Sequence, residues 1–259
     1  MDFQITNQRF LVFGASSGFG RAIAEGLLNE GARVIVTARR EDKLNELLQA
    51  YPNQTHVVTG DVLEDSTLET LASTVNDGGQ LHGVVLNSGG PPATAAVETG
   101  LELWDEAYHS VMRWKIDFLY RILPHLLHYQ YGRILLVESQ SIKQPIPNLT
   151  LSNAYRAGIA GFAKTLAREL APKGITTNIL APGPHDTPAI KRVIEKQSDT
   201  QNITFDEART TLEQGIPVQR MGKAEELASL ALWLLSPHSA YVTGQTLSHD
   251  GGNNQSLWG

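Results

Sequence analysis

Short apolar runs and longer helix-like stretches alternate along almost the whole chain, and that rhythm limits the possible folds more than any other feature. The short runs lie at 10–13, 34–37, 56–59, 83–86, 134–137 and 177–180. Stretches with helical periodicity lie at 21–29, 41–50, 68–76, 101–129, 153–170 and 224–235, and a last short run follows at 246–248. Most of the short runs are valine, isoleucine or leucine without polar alternation, which suits strands buried on both faces. Strands separated by helices pair in parallel, because each helix carries the chain back across one face of the sheet. Right-handed crossovers leave few arrangements. The predicted fold is therefore α/β, a doubly wound parallel sheet with helices on both faces, in a single domain over 1–259. One segment, 184–222, is polar and has no buried-strand pattern. Long insertions between core elements are usually functional or mobile. This one is expected to form a helical lid beside the active-site cleft, the bland alternative being a surface excursion.

Composition removes several function classes. The chain has no cysteine, which excludes disulfides, cysteine-bound zinc, iron–sulfur clusters and thiol catalysis. Its formal net charge is -6, with 21 basic and 27 acidic residues and no basic stripe, so no nucleic-acid partner is expected. The first eight residues lack the basic start and apolar stretch of a secretory signal. The longest apolar run, 227–235, is too short to cross a bilayer. The expectation is a cytoplasmic protein without a membrane partner. His125 and His128 stand one helical turn apart, but no carboxylate nearby completes a metal set, so no metal is expected.

The first strand runs directly into Gly14-Ala15-Ser16-Ser17-Gly18-Phe19-Gly20, and a helical pattern follows at once. Glycine permits a tight turn and lets the backbone approach a pyrophosphate. The helix start then offers free N–H groups and a partial positive charge. A glycine triplet at this spacing between strand and helix, inside a β-α series, points to a dinucleotide. The same residues also spell G-x-S-x-G, the turn that carries a hydrolase serine. That turn needs several strands before it, and here only one precedes.

Further segments give the chain a specific resemblance. Asn87-Ser88-Gly89-Gly90 follows the fourth strand, and Asp61-Val62 follows the third. Pro182-Gly183 with Thr187 follows the sixth. Tyr241-Val242-Thr243-Gly244-Gln245-Thr246 leads to Asp250-Gly251-Gly252. In this order and spacing, with the glycine turn, they resemble the short-chain dehydrogenase/reductase family over nearly the full length. The nearest likeness is to members of the 3-oxoacyl-carrier-protein-reductase type. The resemblance implies a Rossmann fold and a nicotinamide cofactor. It also implies cofactor contacts from Gly14, Ser16, Ser17, Gly18, Phe19, Gly20, Asp61, Val62, Asn87, Gly89, Pro182, Gly183 and Thr187. A homodimer or homotetramer is implied too, formed through the 101–129 and 153–170 helices. Trp114, Phe118 and Tyr120 are read as core or interface residues.

The end of the second strand separates NAD from NADP. NAD-binding folds of this kind place an acid there for the ribose hydroxyls. Here the position is Ala38, followed by Arg39 and Arg40. Guanidinium groups suit a 2′-phosphate, so NADP(H) is preferred and NAD(H) remains possible. The alternative is a solvated pair bridging to Glu41 or Asp42.

The family resemblance also implies a catalytic set of Asn, Ser, Tyr and Lys. Ser139, after the fifth strand, falls in the serine slot. Thirteen residues on, the tyrosine slot holds Ser152, and one helical turn later the lysine slot holds Arg156. The asparagine slot holds Val111. A serine hydroxyl is a much weaker acid than a phenol, and arginine does not deprotonate. Tyr155, about 60° around the helix from Ser152, is the one nearby phenol, with packing at a helix interface as its alternative role. Lys143 and Glu138 are also near in sequence.

The expected reaction is hydride transfer between NADP(H) and a carbonyl-like carbon of a small-molecule substrate: a ketone, enone or imine. The contrasting expectation is a catalytically impaired dinucleotide-binding protein acting as sensor, chaperone or structural subunit.

Overall fold

The computed structural model describes residues 2–257. Its sheet contains β1 (Arg9–Phe13), β2 (Arg33–Ala38), β3 (Thr55–Thr59), β4 (Gly83–Asn87), β5 (Gly132–Val137), β6 (Ile175–Pro182) and β7 (Thr246–His249). They lie in the order β3-β2-β1-β4-β5-β6-β7, and every pairing is parallel. The order reverses between β1 and β4, so a crevice opens at the carboxyl ends of these two strands, where ligands bind in folds of this kind.

Two apolar layers clothe the sheet. Alternate residues of β1 serve opposite faces: Phe10 and Val12 join one cluster, Leu11 and Phe13 the other. The first layer is built by α1 (Gly18–Asn29), α2 (Glu41–Ala50) and α9 (Ala224–Leu235). The second is built by α3 (Asp65–Asp77), α5 (Trp114–Tyr129) and α6 (Thr150–Leu170). The predicted strands and helices are all present. Three helices, α1, α3 and α6, begin three residues earlier than their apolar pattern, because the first turn of a helix can be polar and still hydrogen-bonded.

The predicted single helix over 101–129 needs correction. It is α4 (Leu101–Ala107), then a π-wound stretch Tyr108–Arg113, then α5. A widened turn holds an extra residue and rotates everything after it. Val111, Trp114 and Lys115 all face inward, and Lys115, which stands three, four and seven residues before buried Phe118, Leu119 and Ile122, is fully buried. Counting at 3.6 residues per turn does not show the widened turn itself.

The 184–222 segment folds as two helices, α7 (Pro188–Gln201) and α8 (Phe205–Gln214). They share a small core of Ile194, Ala208, Ile216 and Met221. A capping box at Thr204 and Glu207 starts α8. The neck is closed by two backbone bonds, Gly222 N–H to the Pro184 carbonyl (3.1 Å) and Asp186 N–H to the Gly222 carbonyl (2.8 Å).

Candidate active site

The glycine turn is shaped by close approach. Gly14 has φ +65, and a Cβ there would lie 2.7 Å from Asn87 Nδ2. A Cβ on Gly20 would lie 2.4 Å from the Gly14 carbonyl oxygen. Only glycine lets strand, turn and helix meet this tightly. Asn87 Nδ2 donates to the Phe13 carbonyl (3.4 Å), tying β4 to the end of β1. Ser17 precedes α1 in an extended conformation and its side chain makes no capping bond. The first N–H groups of α1, from Gly18, Phe19 and Gly20, therefore remain for an anion at the crevice.

Of the other expected cofactor residues, Arg40, Asn87 and Thr187 approach this turn. Arg40 Nη2 donates to the carbonyl (3.2 Å) and the Oγ (3.1 Å) of Ser16. Arg39 Nη1 stands 3.7 Å from Asp61 Oδ2. Both arginines are exposed, and their partners are Ser16 and Asp61 rather than Glu41 or Asp42. Asp61 also accepts from Leu63 N–H (3.1 Å), while Val62 leans on the second apolar layer. Gly89 is exposed above β4. Across the crevice, Pro182 ends β6 and Gly183 N–H donates to the His249 carbonyl (3.1 Å). Thr187 starts α7 with its methyl facing the glycine turn: it would lie 3.7 Å from a Cβ on Gly18. Open N–H groups, an arginine beside the turn and no carboxylate at Ala38 form a cradle that fits a dinucleotide with a 2′-phosphate.

Two histidines next to this cradle were not singled out in the sequence. His185 is buried, with its ring edge-on to Phe19 (5.0 Å between centroids) and stacked on His249 (5.0 Å). His185 Nδ1 lies 2.9 Å from the Gly183 carbonyl, so it is the protonated nitrogen. Nε2 then accepts from His249 Nδ1 (2.8 Å). Their 64-residue separation hides the pair from any local pattern. Burial holds the His185 pKa below the usual histidine value, against the hydrogen bond to Gly183, and His249 lowers it further. Asp250 and Glu226 act in the opposite direction. An unfolded histidine takes up its proton near pH 6.5, about a typical value for the free side chain. Below that pH the unfolded state binds more protons, so stability present above it is lost as pH falls through the lowered His185 pKa. Thermal unfolding should therefore fall from about pH 7.5 to about pH 5. His185→Gln should reduce that slope, and His82 and His125, also lowered by burial, should supply the remainder. An unchanged slope in His185→Gln would contradict this assignment.

The expected catalytic slots meet a buried ionic group. Glu138 follows β5 with its side chain sealed from solvent. Its Oε1 accepts from Lys115 Nζ (2.5 Å) and its Oε2 from Arg156 Nη1 (2.7 Å). Arg156 Nε donates to Ser152 Oγ (3.0 Å), and Ser152 Oγ lies 3.4 Å from Ser141 Oγ. Ser139 Oγ accepts from Ser141 N–H (3.1 Å) at the start of a short turn, Gln140–Ile142. Burial lowers the Lys115 pKa, Glu138 pulls it back up, and Arg156 lowers it. We assign the ammonium form because its nitrogen sits on a carboxylate oxygen at charge-assisted distance. Ser139, Ser152 and Arg156 are thus brought together through Ser141. Glu138 was noted in the sequence only as a neighbour, and the signal that could have found Lys115 is its place on the apolar face of α5 with Phe118, Leu119 and Ile122.

Tyr155 does not join this group. Its hydroxyl donates to the Trp104 carbonyl (2.8 Å), and its ring packs on Trp104 and Tyr108. Burial raises its pKa, with Asp105 and Tyr108 adding to the effect. Its position on α6 turns it toward α4, away from Ser152. Val111 is buried and apolar, so it offers no hydrogen bond in the asparagine slot. His125 Nε2 accepts from Leu81 N–H (3.2 Å), a structural role. Among the described residues, no group of three or more histidine, aspartate or glutamate side chains is placed to hold a metal. No helix among them is long and apolar enough to cross a membrane.

Comparison with known proteins covers nearly the whole molecule. A family model described as enoyl-(acyl carrier protein) reductase matches residues 14–254. The chain is 32% identical to the 3-oxoacyl-[acyl-carrier-protein] reductase FabG of Haemophilus influenzae over 93% of this chain and 96% of that one. An actinorhodin polyketide ketoreductase solved with NADPH is 32% identical with a TM-score of 0.88, covering 96% of this chain and 98% of the other. YwfH, an NADPH dependent reductase involved in bacilysin biosynthesis, is 26% identical with a TM-score of 0.91, covering 97% of this chain and all of the other.

Proposed function

The chain belongs to the short-chain dehydrogenase/reductase family, and from this premise we infer that it is an NADP(H)-preferring oxidoreductase. The substrate is a small molecule with a carbonyl-like carbon: a ketone, enone or imine. The observation that carries the reading is the glycine-turn cradle with Arg40 bonded to Ser16. A likeness to an NADPH dependent reductase and to a ketoreductase solved with NADPH supports the cofactor preference.

When bound, the nicotinamide supplies or takes a hydride. The residues named for holding it are Gly14, Ser16, Ser17, Gly18, Phe19 and Gly20 on one side. Arg39, Arg40, Asp61, Val62, Asn87, Gly89, Pro182, Gly183 and Thr187 surround the rest. Ser139, Ser152 and Arg156 orient the substrate oxygen. The α7–α8 pair forms a lid, and its neck at His185 touches Phe19 of the glycine turn. Closing it would exclude water from the reacting atoms. A homodimer or homotetramer would form through α5 and α6, where exposed Tyr120 packs on Phe162. A cytoplasmic location goes with this reading.

NADPH and NADH titrations, followed by oxidation of NADPH with ketones, enones and imines, test the proposal. Arg40→Ala should weaken NADPH at least about tenfold while changing NADH little, the loss of one charge-assisted phosphate contact. Equal losses for both nucleotides would remove the 2′-phosphate role. The absence of a phenol in the Ser152 position favours a second reading, a dinucleotide-binding protein without catalysis. Nucleotide binding with no turnover of any acceptor would select it.

A further inference from the structure

The buried charges discriminate among the acceptors. Lys115 and Arg156 face one carboxylate, Glu138, so the group carries a net positive charge. Both oxygens of Glu138 are taken by these cations and accept nothing further from a substrate on those bonds. Ser152 Oγ accepts from Arg156 and shares a hydroxyl contact with Ser141 Oγ (3.4 Å), while Ser139 Oγ accepts from Ser141 N–H, which leaves the Ser139 hydrogen to be donated elsewhere. Arg156 Nη2 reaches toward the loop after β4, where it would lie 3.5 Å from a Cβ on Gly90. Hydroxyl and guanidinium donors are thus linked through Ser141 between β5 and α6, and Tyr155, the phenol nearest them along α6, donates to the Trp104 carbonyl instead.

An iminium ion would bring a like charge into a site of low dielectric. A plain ketone yields an alkoxide, which needs a proton as it forms. A conjugated carbonyl acceptor needs neither. Hydride adds at the β-carbon of an enone, the C=C electrons shift to form the Cα=C bond, and the carbonyl pair moves onto oxygen as an enolate. The acceptor gains two electrons, the nicotinamide loses them, and water later protonates Cα. A quinone gives a phenolate by the same electron flow. A phenol-type oxygen, with a pKa of about 10, is far easier to leave ionised than an alkoxide.

We propose that Ser139, Ser152 and Arg156 form an oxyanion-binding site that selects conjugated carbonyl acceptors, with Lys115 and Glu138 as the residues that position it. The proposal rests on the reading of the protein as a nicotinamide-dependent reductase. Fixed donors aimed at developing charge are among the strongest contributions to catalysis, commonly about 10²–10³ in rate for one donor.

The test uses 4-nitrophenol as an enolate mimic on protein saturated with NADP+, followed by the absorbance of the phenolate. The bound phenol should ionise about one unit lower than in free solution. Ser152→Ala and Arg156→Lys should each weaken phenolate binding at least about tenfold. The second keeps a cation beside Glu138 while removing the Nε donor. Lys115→Met should raise the bound ionisation back toward its free value, a change that a purely structural role would not produce. If Lys115→Met does not fold, Ser152→Ala decides. NADPH oxidation should be faster with a cyclic enone or a 1,4-quinone than with a cyclic imine.

Nitrophenol bound in its neutral form, or not bound, by protein that does bind NADP+ would overturn the oxyanion site and leave the nucleotide reading standing. Failure to bind NADP+ at all would overturn the reductase reading itself.

Discussion

Ser152→Tyr combined with Arg156→Lys is expected to raise NADPH-dependent reduction of a simple ketone by about 10-fold or more. General acid catalysis by a positioned side chain is worth about 10²–10⁴ in rate, so tenfold is a low threshold even for an imperfectly placed phenol. A tyrosine at this point supplies a proton donor with a pKa of about 10, which neighbouring positive charge can bring lower. A lysine at position 156 keeps a cation opposite Glu138 Oε2. Lys115 stays in place as the second. Ser152 lies in the first turns of α6 beside Ser141 and Arg156, so a longer side chain there starts from the group proposed to bind the substrate oxygen. The readout is kcat/KM for a ketone, with NADPH affinity measured separately. Unchanged ketone reduction in a folded double variant that still binds NADPH would mean that these positions do not occupy the acid and ribose places.

The second large effect concerns stability. Glu138→Gln should destabilise the protein by about 3–5 kcal/mol, because it leaves Lys115 and Arg156 buried together without a counter-charge. Lys115 is fully buried and the Glu138 side chain is sealed, so water cannot screen the two cations. Denaturant unfolding should show a lower midpoint with an unchanged slope. Replacing the group by apolar residues, Lys115→Met with Glu138→Leu and Arg156→Met, should recover most of the loss, since no buried charge is then left unpaired. It should also abolish any phenolate binding. This contrast separates what the ionic group does for the fold from what it does for the site: a native protein that kept these charges only for stability would lose nothing by the apolar set.

The glycine turn, its place between β1 and α1, the missing acid at Ala38 and the Arg39-Arg40 pair are all contiguous in sequence. Each depends on backbone conformation or on charge within a few residues, so local reasoning reaches it. Ser139, Ser152 and Arg156 follow from the resemblance to the family's catalytic set, carried onto this chain by the spacing after the fifth strand. The widened turn at Tyr108–Arg113 was not reachable in this way, because periodicity assumes a constant helix pitch. Lys115 was not singled out, although its place three, four and seven residues before Phe118, Leu119 and Ile122 puts it on the apolar face of α5.

What the sequence determined by itself was the alternation of buried strands and amphipathic helices, and hence the doubly wound parallel sheet with helices on both faces. Period and apolar pattern are properties of neighbouring residues, and the right-handed crossover leaves little else to choose. Tertiary structure alone decided the strand order, and with it the crevice between β1 and β4, and which distant side chains meet. Glu138 stands 23 residues from Lys115 and 18 from Arg156. They meet because the end of β5 lies under α5 and α6 on the same face of the sheet. His185 and His249 meet across 64 residues because β6 and β7 are neighbours in parallel register. Charges and hydrogen bonds act over a few ångströms of space, and only the folded chain states which residues share them.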